Sequence, residues 1–488
     1  MSKPARSLVR AFWAGVGVML SVQFSAAQGV ETLVTVDADG KSAFVEGKFR
    51  DGEQHKSLSF QHSAIGIPDL GGRISQVAVK RAGTNTDVRQ LRSSEYLSNL
   101  GFSEFSYRVD LRPGTDSRSA AHSSWIGKDV GLILLDDILP VSPLSGSQAL
   151  LLRVKAPAGW AIWSDISPGS SGIYEIPEIG RASFVMAKGL SKKDVSGRLE
   201  ILSASGFLFS IDEAVGMAGE IFGHYSKLFG GPPGEKVMIV ILPFPQNEIP
   251  KGVWEAETRG RTVLLVSSDM PFKYQSAQLL HEQLRHEIFH LWVPNAIELS
   301  GNYDWFFEGF AIYEALKAGV ELNRIRFEDM LDTLSRAFSI DASRTRPLSL
   351  IAASNERWKG AETSVYARGM ITAFIIDIEL LRGSKGRTAL ENIFRRLFSG
   401  HKRPAVSADG NASILGLFER DTGLSMIARA YISGDKPIDM APWLEASGLE
   451  NASGGLRARL RVRPNLTRQQ KTVLDKLGYN SWRKLNRK

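Results

Sequence analysis

Two histidines four positions apart, with a glutamate directly after the first, constrain the fold more than any other feature of this chain. His286, Glu287 and His290 lie in the segment LRHEIFHLW. On a helix, residues four apart share one face, so both imidazoles can reach one metal ion while Glu287 points into the same site. The segment therefore predicts a helix that carries two metal ligands and a general base, as in zinc hydrolases.

The surrounding sequence favours a buried helix over the alternative of two solvated histidines on a surface helix. Residues 276–293 read SAQLLHEQLRHEIFHLWV and contain neither Gly nor Pro, and Pro294 then ends the helix. Leu280, Leu284 and Phe289 are among the apolar residues that this helix would bury. A solvated histidine pair would not require such burial.

A third ligand is expected nearby, because catalytic zinc takes three protein ligands and leaves one position for water. Glu308 lies in the apolar run NYDWFFEGFAIYEAL, where an unpaired carboxylate would be costly to desolvate and a divalent cation would remove that cost. The alternative is a glutamate at a helix start, facing the helix dipole. We predict one Zn²⁺ ion held by His286, His290 and Glu308.

HEIFHLW followed by WFFEGFAIY resembles the gluzincin metallopeptidases, in which an HExxH helix precedes a helix that carries a glutamate ligand. The membrane alanyl aminopeptidase family usually has eighteen residues between the second histidine and that glutamate, whereas this chain has seventeen. The turn at 294–302 would absorb the difference. The resemblance implies a zinc metallopeptidase with Glu287 as its general base.

Residues 364–381, SVYARGMITAFIIDIELL, resemble the Y-x-K-G segment of the same clan, with Arg368 where lysine is usual. The resemblance implies that Tyr366 donates a hydrogen bond to the oxyanion of the tetrahedral intermediate. One such donor contributes roughly 10²- to 10³-fold in rate. Gly369 would let this helix approach its neighbours closely. Taken alone, a tyrosine before an apolar helix is more often part of the core.

Residues 254–268, WEAETRGRTVLLVSS, predict a strand beside the site, because they are rich in β-branched and aliphatic residues. Glu257, Arg259 and Thr262 resemble part of the G-G-L-E-x-R-x-x-T form of the glycyl aminopeptidase family, without its paired glycines. If Glu257 matches the family's glutamate, it would bind the substrate's free ammonium group and make the enzyme an exopeptidase. A solvated glutamate at a strand end is the other interpretation.

Fainter likenesses at 154–166, 220–245 and 427–450 extend the resemblance patchily from about residue 100 to 450. The glycyl aminopeptidase family is therefore the closest resemblance, and the likeness to the membrane alanyl aminopeptidase family is weaker. Members of the glycyl aminopeptidase family often end in a PDZ domain. Fewer than 40 residues follow Glu450, so we expect no PDZ domain.

The pattern of the whole chain predicts an α+β fold in two domains. Short alternating segments separated by Gly, Pro and Ser clusters predict an antiparallel β sandwich over 28–205. Helices dominate 206–450, where the resemblance implies a thermolysin-like catalytic domain with a mostly helical C-terminal lobe. The chain has no cysteine, so it forms no disulfides and relies on its core.

The first 27 residues predict a signal peptide, and hence a secreted or periplasmic protein. Three basic residues precede the apolar run 11–24, and small residues follow at 25–27, where signal peptidase cuts. The run is too short to favour a membrane-spanning helix, and an uncleaved anchor is the alternative.

The net charge of +8 resides in the two termini, since residues 28–456 come to −5. Residues 457–488 hold eleven Lys or Arg against the single acid Asp475. This basic tail, 451–488, predicts an amphipathic strand at 456–463 and a short helix with Thr467 as N-cap and Gln470 completing a capping box. Its arginines could contact an anionic envelope surface, although an edge strand docked on the enzyme is the simpler interpretation. We expect no nucleic-acid partner.

Three functions fit this sequence. The first is a secreted zinc aminopeptidase that acts on peptides. The second is a zinc endopeptidase, which would share every motif, since only Glu257 favours trimming from the amino terminus. The third is a catalytically degenerate binding protein of the cell envelope, which would not need Glu287 or Tyr366.

Overall fold

The computed structural model describes residues 29–50, 54–144, 149–195, 197–246, 248–453 and 457–480. The predicted signal peptide, 1–27, lies outside these residues. The described part of the chain is mixed α and β, as expected, with 23 strands in six sheets and fourteen α-helices. Within it, no helix is both long and apolar enough to cross a lipid bilayer.

The first part of the chain is built from fourteen strands in three sheets. A seven-stranded sheet has the order β13-β11-β1-β2-β8-β4-β5, a four-stranded sheet β12-β14-β10-β9, and a three-stranded sheet β3-β7-β6. The strands are β1 Gly29–Val36, β2 Ser42–Phe49, β3 His55–Ser59, β4 Ile74–Arg81, β5 Thr84–Thr86, β6 Val88–Arg92, β7 Glu95–Phe102, β8 Glu104–Asp110, β9 Trp125–Ile126, β10 Val130–Leu134, β11 Ala149–Lys155, β12 Ala161–Trp163, β13 Tyr174–Ile176 and β14 Ser183–Ala187.

Strand β2 shows why this region forms sheets. Ala43, Val45 and Phe49 are buried, whereas Glu46 and Lys48 between them are exposed, which is the period of two that places one face on a core. Short helices connect the strands: α1 Ser119–His122, α2 Leu135–Ile138 and α3 Val141–Leu144.

A second, five-stranded sheet supports the candidate site, with the order β15-β16-β17-β19-β18. β16, β17 and β19 run parallel, while β15 and β18 are antiparallel edges. Its strands are β15 Ser191–Val195, β16 Leu199–Ser203, β17 Val237–Pro243, β18 Trp254–Arg259 and β19 Thr262–Ser267. The sheet therefore begins before residue 205.

The central strands of this sheet are buried on both faces. Ile239 and Ile241 pack in one core with helix residues such as Leu284. Val240 packs in another core with Leu132 of the first part of the chain. The sheet thus lies between the helices and the N-terminal strands, which explains the continuous apolar run VMIVIL.

The single strand predicted over 254–268 is in fact two strands, β18 and β19, joined at Gly260. Gly260 has a φ of +56°, and a Cβ there would lie 2.7 Å from the carbonyl oxygen of Arg181. The turn needs glycine, and it places β18 at the edge of the sheet, next to the site.

Helices form the rest of the chain, with four short strands among them. The helices are α4 Ile211–Phe229, α5 Lys273–His290, α6 Ala311–Glu321, α7 Phe327–Ala342, α8 Leu350–Asn355, α9 Glu362–Gly383, α10 Leu390–His401, α11 Gly410–Phe418, α12 Thr422–Ile427, α13 Ala441–Ser447 and α14 Arg468–Lys476. The remaining strands pair as β20 Leu299–Ser300 with β21 Ala408–Asp409, and β22 Leu449–Asn451 with β23 Leu460–Val462.

The basic tail packs on the helical region over its described residues. Thr467 caps α14 and forms a capping box with Gln470, as predicted. Val473 and Leu474 are fully buried, and the amide of Leu460 donates to Ser335 Oγ at 2.9 Å. These contacts match the interpretation of a docked edge strand.

Two glycines bring the candidate site's helices together. Gly309 lies in a π-helical turn, Trp305–Phe310, and Gly369 lies in α9. A Cβ on Gly369 would come within 2.9 Å of Gly309 Cα and 3.0 Å of Trp305 O. The close approach predicted for Gly369 is confirmed, and it requires glycine on both sides.

We predict that Gly369→Ala lowers the free energy of unfolding by roughly 1–3 kcal/mol, because the added methyl group meets backbone that cannot move aside. Gly223→Ala in α4 is the matched control, since its Cβ would meet nothing within 4 Å. That change should instead stabilise by about 0.5–1 kcal/mol. Denaturant unfolding of both variants measures the difference, and equal stability of the two would contradict this packing.

Candidate metal centre

Helix α5 presents its two histidines to one point. The Nε2 atoms of His286 and His290 are 3.1 Å apart. The Nδ1 atom of His290 lies 3.0 Å from the carbonyl oxygen of Val293. A carbonyl only accepts, so Nδ1 carries the proton and the Nε2 lone pair faces His286. The end of α5 thereby sets the tautomer that a metal ion needs.

Glu308 joins this pair from the π-helical turn at Trp305–Phe310. Its Oε2 atom lies 3.3 Å from His286 Nε2 and 3.8 Å from His290 Nε2. Burial raises the pKa of Glu308, but the adjacent imidazoles of His286 and His290 and the positive charge of Arg357 hold it well below its ordinary value. The seventeen-residue spacing therefore suffices to bring the carboxylate, in its ionised form, to the histidines.

These three residues fit a zinc ion. Tetrahedral zinc with bonds of about 2.0–2.1 Å separates its ligand atoms by about 3.3 Å, close to the distances given above. Among the described residues, His286, His290 and Glu308 are the one group of His, Asp and Glu side chains whose ligand atoms converge in this way, all within 4.8 Å of one another.

Glu287 is held beside the cluster by strand β18. The hydroxyl of Thr258 lies 2.7 Å from Glu287 Oε2 and 2.9 Å from the backbone carbonyl oxygen of Glu287, and its one proton is shared between these two acceptors. Neither contact uses Oε1, which is left available as an acceptor. Thr258 carries no motif in the sequence. Thr258 follows Glu257 in β18, and successive residues of a strand point to opposite faces. The fold of β18 against α5 is what places its side chain next to Glu287.

Tyr366 lies at the start of α9 and lines the same cavity as the histidines. Its hydroxyl oxygen accepts a hydrogen bond from Arg357 Nη2. Burial, and then the negative charge of Glu308, raise the pKa of Tyr366 above its ordinary value. The phenol is therefore neutral and keeps its proton to donate.

Arg357 is a site residue that the sequence does not indicate. It lies in a 3₁₀ turn, Arg357–Lys359, and is 9% exposed. Its Nη1 atom donates to Glu308 Oε1 at 2.9 Å and to Asp304 Oδ2 at 3.2 Å. An isolated arginine after a short helix has no motif, so only the folded chain reveals these contacts.

Glu257 also lines the cavity, but both of its carboxylate oxygens are engaged. Oε2 lies 2.7 Å from His122 Nδ1, and Oε1 lies 2.8 Å from Arg259 Nε. Arg259 in turn bonds Asp136 at 2.6 Å. Although burial raises the pKa of Glu257, the charges of Arg259 and His122 lower it to about 2. Glu257 is thus a half-buried, ionised member of a charge network, and its binding of a substrate ammonium group stays a prediction.

His122 is another site residue that the sequence does not indicate, since its spacing matches no ligand pattern. It ends α1 in the first part of the chain. The cavity therefore has walls from both parts of the chain. Its volume is about 430 Å³, and the residues that line it include Ile65, Arg118, His122, Glu255, Glu257, Thr258, His286, Glu287, His290, Phe307, Glu308, Arg357, Trp358, Glu362 and Tyr366.

Comparison with known proteins identifies solved structures that share this fold. The sequence matches no protein-family model and no curated protein. Its structure is similar to an aminopeptidase N family protein from Idiomarina loihiensis, with a TM-score of 0.73 and 13% identity over 86% of this chain and 78% of that chain. It is also similar to an M1 zinc metallopeptidase from Deinococcus radiodurans bound to a Tyr-Ser-Ala substrate, with a TM-score of 0.54 and 15% identity over 85% of this chain and 95% of that chain.

A two-domain M1 zinc metallopeptidase bound to L-arginine is similar as well, with a TM-score of 0.52 and 14% identity over 85% of this chain and 95% of that chain. Identities this low establish a shared fold. The structural neighbours of this chain are thus M1 zinc metallopeptidases and aminopeptidase N family proteins, within the gluzincins that the sequence resembles.

We predict that the protein binds one equivalent of Zn²⁺ and that Glu308→Gln weakens this binding. The loss should exceed the roughly 10- to 100-fold typical of changes outside the ligand set, because a charged ligand is replaced by a neutral one. Competition with a chelating dye measures the affinity. His62→Ala, which removes an exposed histidine outside the cluster, should bind zinc as the unchanged protein does. Equal affinities for all three proteins would reject the ligand set.

Proposed function

Because the chain has the fold of the M1 zinc metallopeptidases, we propose that it is a zinc-dependent peptidase that removes residues from the amino terminus of peptides. One observation carries the proposal. His286, His290 and Glu308 converge in a cavity that also holds the carboxylate of Glu287. A binding protein has no use for a carboxylate placed beside a metal site. The peptide bound to the Deinococcus radiodurans enzyme supports a peptide as the substrate.

The residues of the site divide the chemistry between them. Zinc, when bound by His286, His290 and Glu308, supplies a Lewis acid that makes water more acidic and polarises a carbonyl group. Glu287 takes a proton from the attacking water at Oε1, since Thr258 occupies Oε2, and passes it to the nitrogen of the leaving amine.

Whereas Glu287 acts on the attacking water, Tyr366 acts on the substrate, at the carbonyl oxygen of the scissile bond. Its neutral phenol donates a hydrogen bond to that oxygen as negative charge develops there. Because its raised pKa keeps the phenol protonated at ordinary pH, the donor is present throughout that range.

We predict that Glu287→Gln retains zinc and lowers kcat by roughly 10²- to 10⁴-fold or more, because the amide cannot accept the proton. The matched control is Glu282→Gln, an exposed glutamate on the same helix, which should leave kcat unchanged. Zinc content and initial rates on an alanine-rich tripeptide measure both effects. Turnover retained in Glu287→Gln would remove Glu287 from the mechanism.

A zinc endopeptidase is the second candidate, and the engagement of Glu257 favours it. A carboxylate already bonded to His122 and Arg259 offers less to a substrate ammonium group than a free one. An endopeptidase does not need that group, and the remaining site residues would serve both reactions equally well.

Matched peptides with free and acetylated amino termini distinguish the candidates. We predict that the zinc-loaded protein cleaves only the free form, releasing the first residue, with kcat/KM at least about 10²-fold above that for the acetylated form. Mass spectrometry of the products gives the cleavage position. Comparable cleavage of both forms at internal bonds would establish the endopeptidase, and cleavage of neither would favour a binding protein.

A further inference from the structure

Arg357 is bonded to two different parts of the candidate metal centre at once. Nη1 donates to Glu308 Oε1 at 2.9 Å, while Nη2 donates to the hydroxyl oxygen of Tyr366. Nη1 also contacts Asp304 at 3.2 Å. A single guanidinium therefore connects the third ligand of the predicted zinc ion with the predicted oxyanion donor.

The bond to Glu308 determines which carboxylate oxygen is free for a metal ion. With Oε1 bonded to Arg357, Oε2 is the oxygen that faces the two imidazoles. The Glu308 side chain is 12% exposed, so few water molecules compete for these bonds. The guanidinium thus fixes the orientation of the carboxylate before any cation binds, which lowers the cost of ordering the ligand.

The bond to Tyr366 determines where the phenol proton points. A guanidinium has only donors, so the oxygen of Tyr366 accepts and its own proton must point elsewhere. Tyr366 lines the cavity, where that proton is available to a substrate oxygen. A donor bonded in this way is also polarised by the positive charge beside it.

The shape of the guanidinium is required for both bonds. Its carbon lies 4.4 Å from the centre of the Trp358 ring and 5.1 Å from that of the Tyr366 ring, so aromatic groups restrict its plane. Two nitrogens at a fixed spacing then reach two partners. A lysine carries the same charge on one nitrogen and cannot reproduce this geometry.

We propose that Arg357 is a positioning residue that orients the metal ligand Glu308 and the phenol of Tyr366 together. Its effect on metal binding follows from the contacts alone. Its effect on rate rests on the proposed peptidase function. The two effects can therefore be measured separately.

The first experiment measures zinc affinity, which needs no enzymatic activity. Arg357→Lys and Arg357→Gln should each weaken Zn²⁺ binding by roughly 10- to 100-fold. In a Glu308→Gln background the same changes should have little further effect, because the carboxylate ligand that Arg357 orients has already been removed. Lys359→Met, an exposed residue in the same turn, is the control and should bind zinc normally.

The second experiment measures turnover at saturating zinc. Arg357→Lys should lower kcat by roughly 10- to 100-fold with little change in KM, and by no more than a few-fold in a Tyr366→Phe background. A general loss of structure would instead lower kcat equally in both backgrounds. The melting temperatures of Arg357→Lys and Arg357→Gln should resemble that of the unchanged protein. One folded Arg357 variant is enough to compare the single and double variants in each experiment.

The outcomes separate this inference from the proposed function. Unchanged zinc affinity in the Arg357 variants would overturn the positioning role. So would losses in the double variants that equal the sum of the separate losses from Arg357 and from Glu308→Gln or Tyr366→Phe. If the unchanged protein cleaves no peptide, the proposed function fails, while the zinc-affinity cycle still decides whether Arg357 orients Glu308. Unfolding of both Arg357 variants would also count against it, because it would assign the residue to the stability of the fold.

Discussion

The site depends on three lone pairs that meet at one point inside the protein. Two imidazole nitrogens and a carboxylate oxygen lie within 3.8 Å of one another, and none of them can donate a hydrogen bond to the others without taking up a proton. Burial lowers the pKa of His290, but the nearby carboxylates of Glu308 and Glu287 raise it above the ordinary value. A proton and a divalent cation therefore compete for the same lone pairs, so metal binding releases protons and strengthens as the pH rises through the histidine range. The rest of the structure serves to keep this cluster of acceptors together.

Direct packing of one backbone segment on another determines how far Glu308 lies from the phenol of Tyr366. Gly309 follows Glu308 directly, and Gly369 follows Tyr366 by three residues, almost one helical turn. The two glycines touch, so the π-helical turn and α9 cannot slide relative to each other without a clash. Arg357 bonds the two side chains that these elements carry. Backbone contact thus sets the distance between the two elements, and the guanidinium sets the orientation of the groups.

How much the sequence predicts depends on how far apart in the chain the interacting residues lie. The HExxH residues share one turn of a helix, so their geometry follows from helix periodicity. Glu308 is predictable because a carboxylate in an apolar run needs a partner. The roles of Thr258, Arg357 and His122 are different, since each depends on a contact 9 to 135 residues distant that no local pattern encodes. The sequence did not predict the hairpin at Gly260 for a related reason. The contact that requires glycine there comes from Arg181, which is distant in the chain. Helix patterns and burial costs are local, whereas side-chain partners are set by the tertiary fold.

The charges around Glu257 bear on its predicted binding of a substrate ammonium group. Glu257 and Asp136 carry two negative charges against the one positive charge of Arg259, so the group has one charge in excess unless His122 is protonated. Burial lowers the pKa of His122, but the charge of Glu257 raises it above the ordinary value, which extends the pH range over which the imidazole is positive. An ammonium group and a protonated His122 therefore compensate the same excess charge. The predicted binding of an ammonium group by Glu257 is therefore favoured when His122 is neutral, above the pKa of that histidine. Below that pKa, the wall of the cavity next to Glu257 presents a neutral ion pair to the substrate.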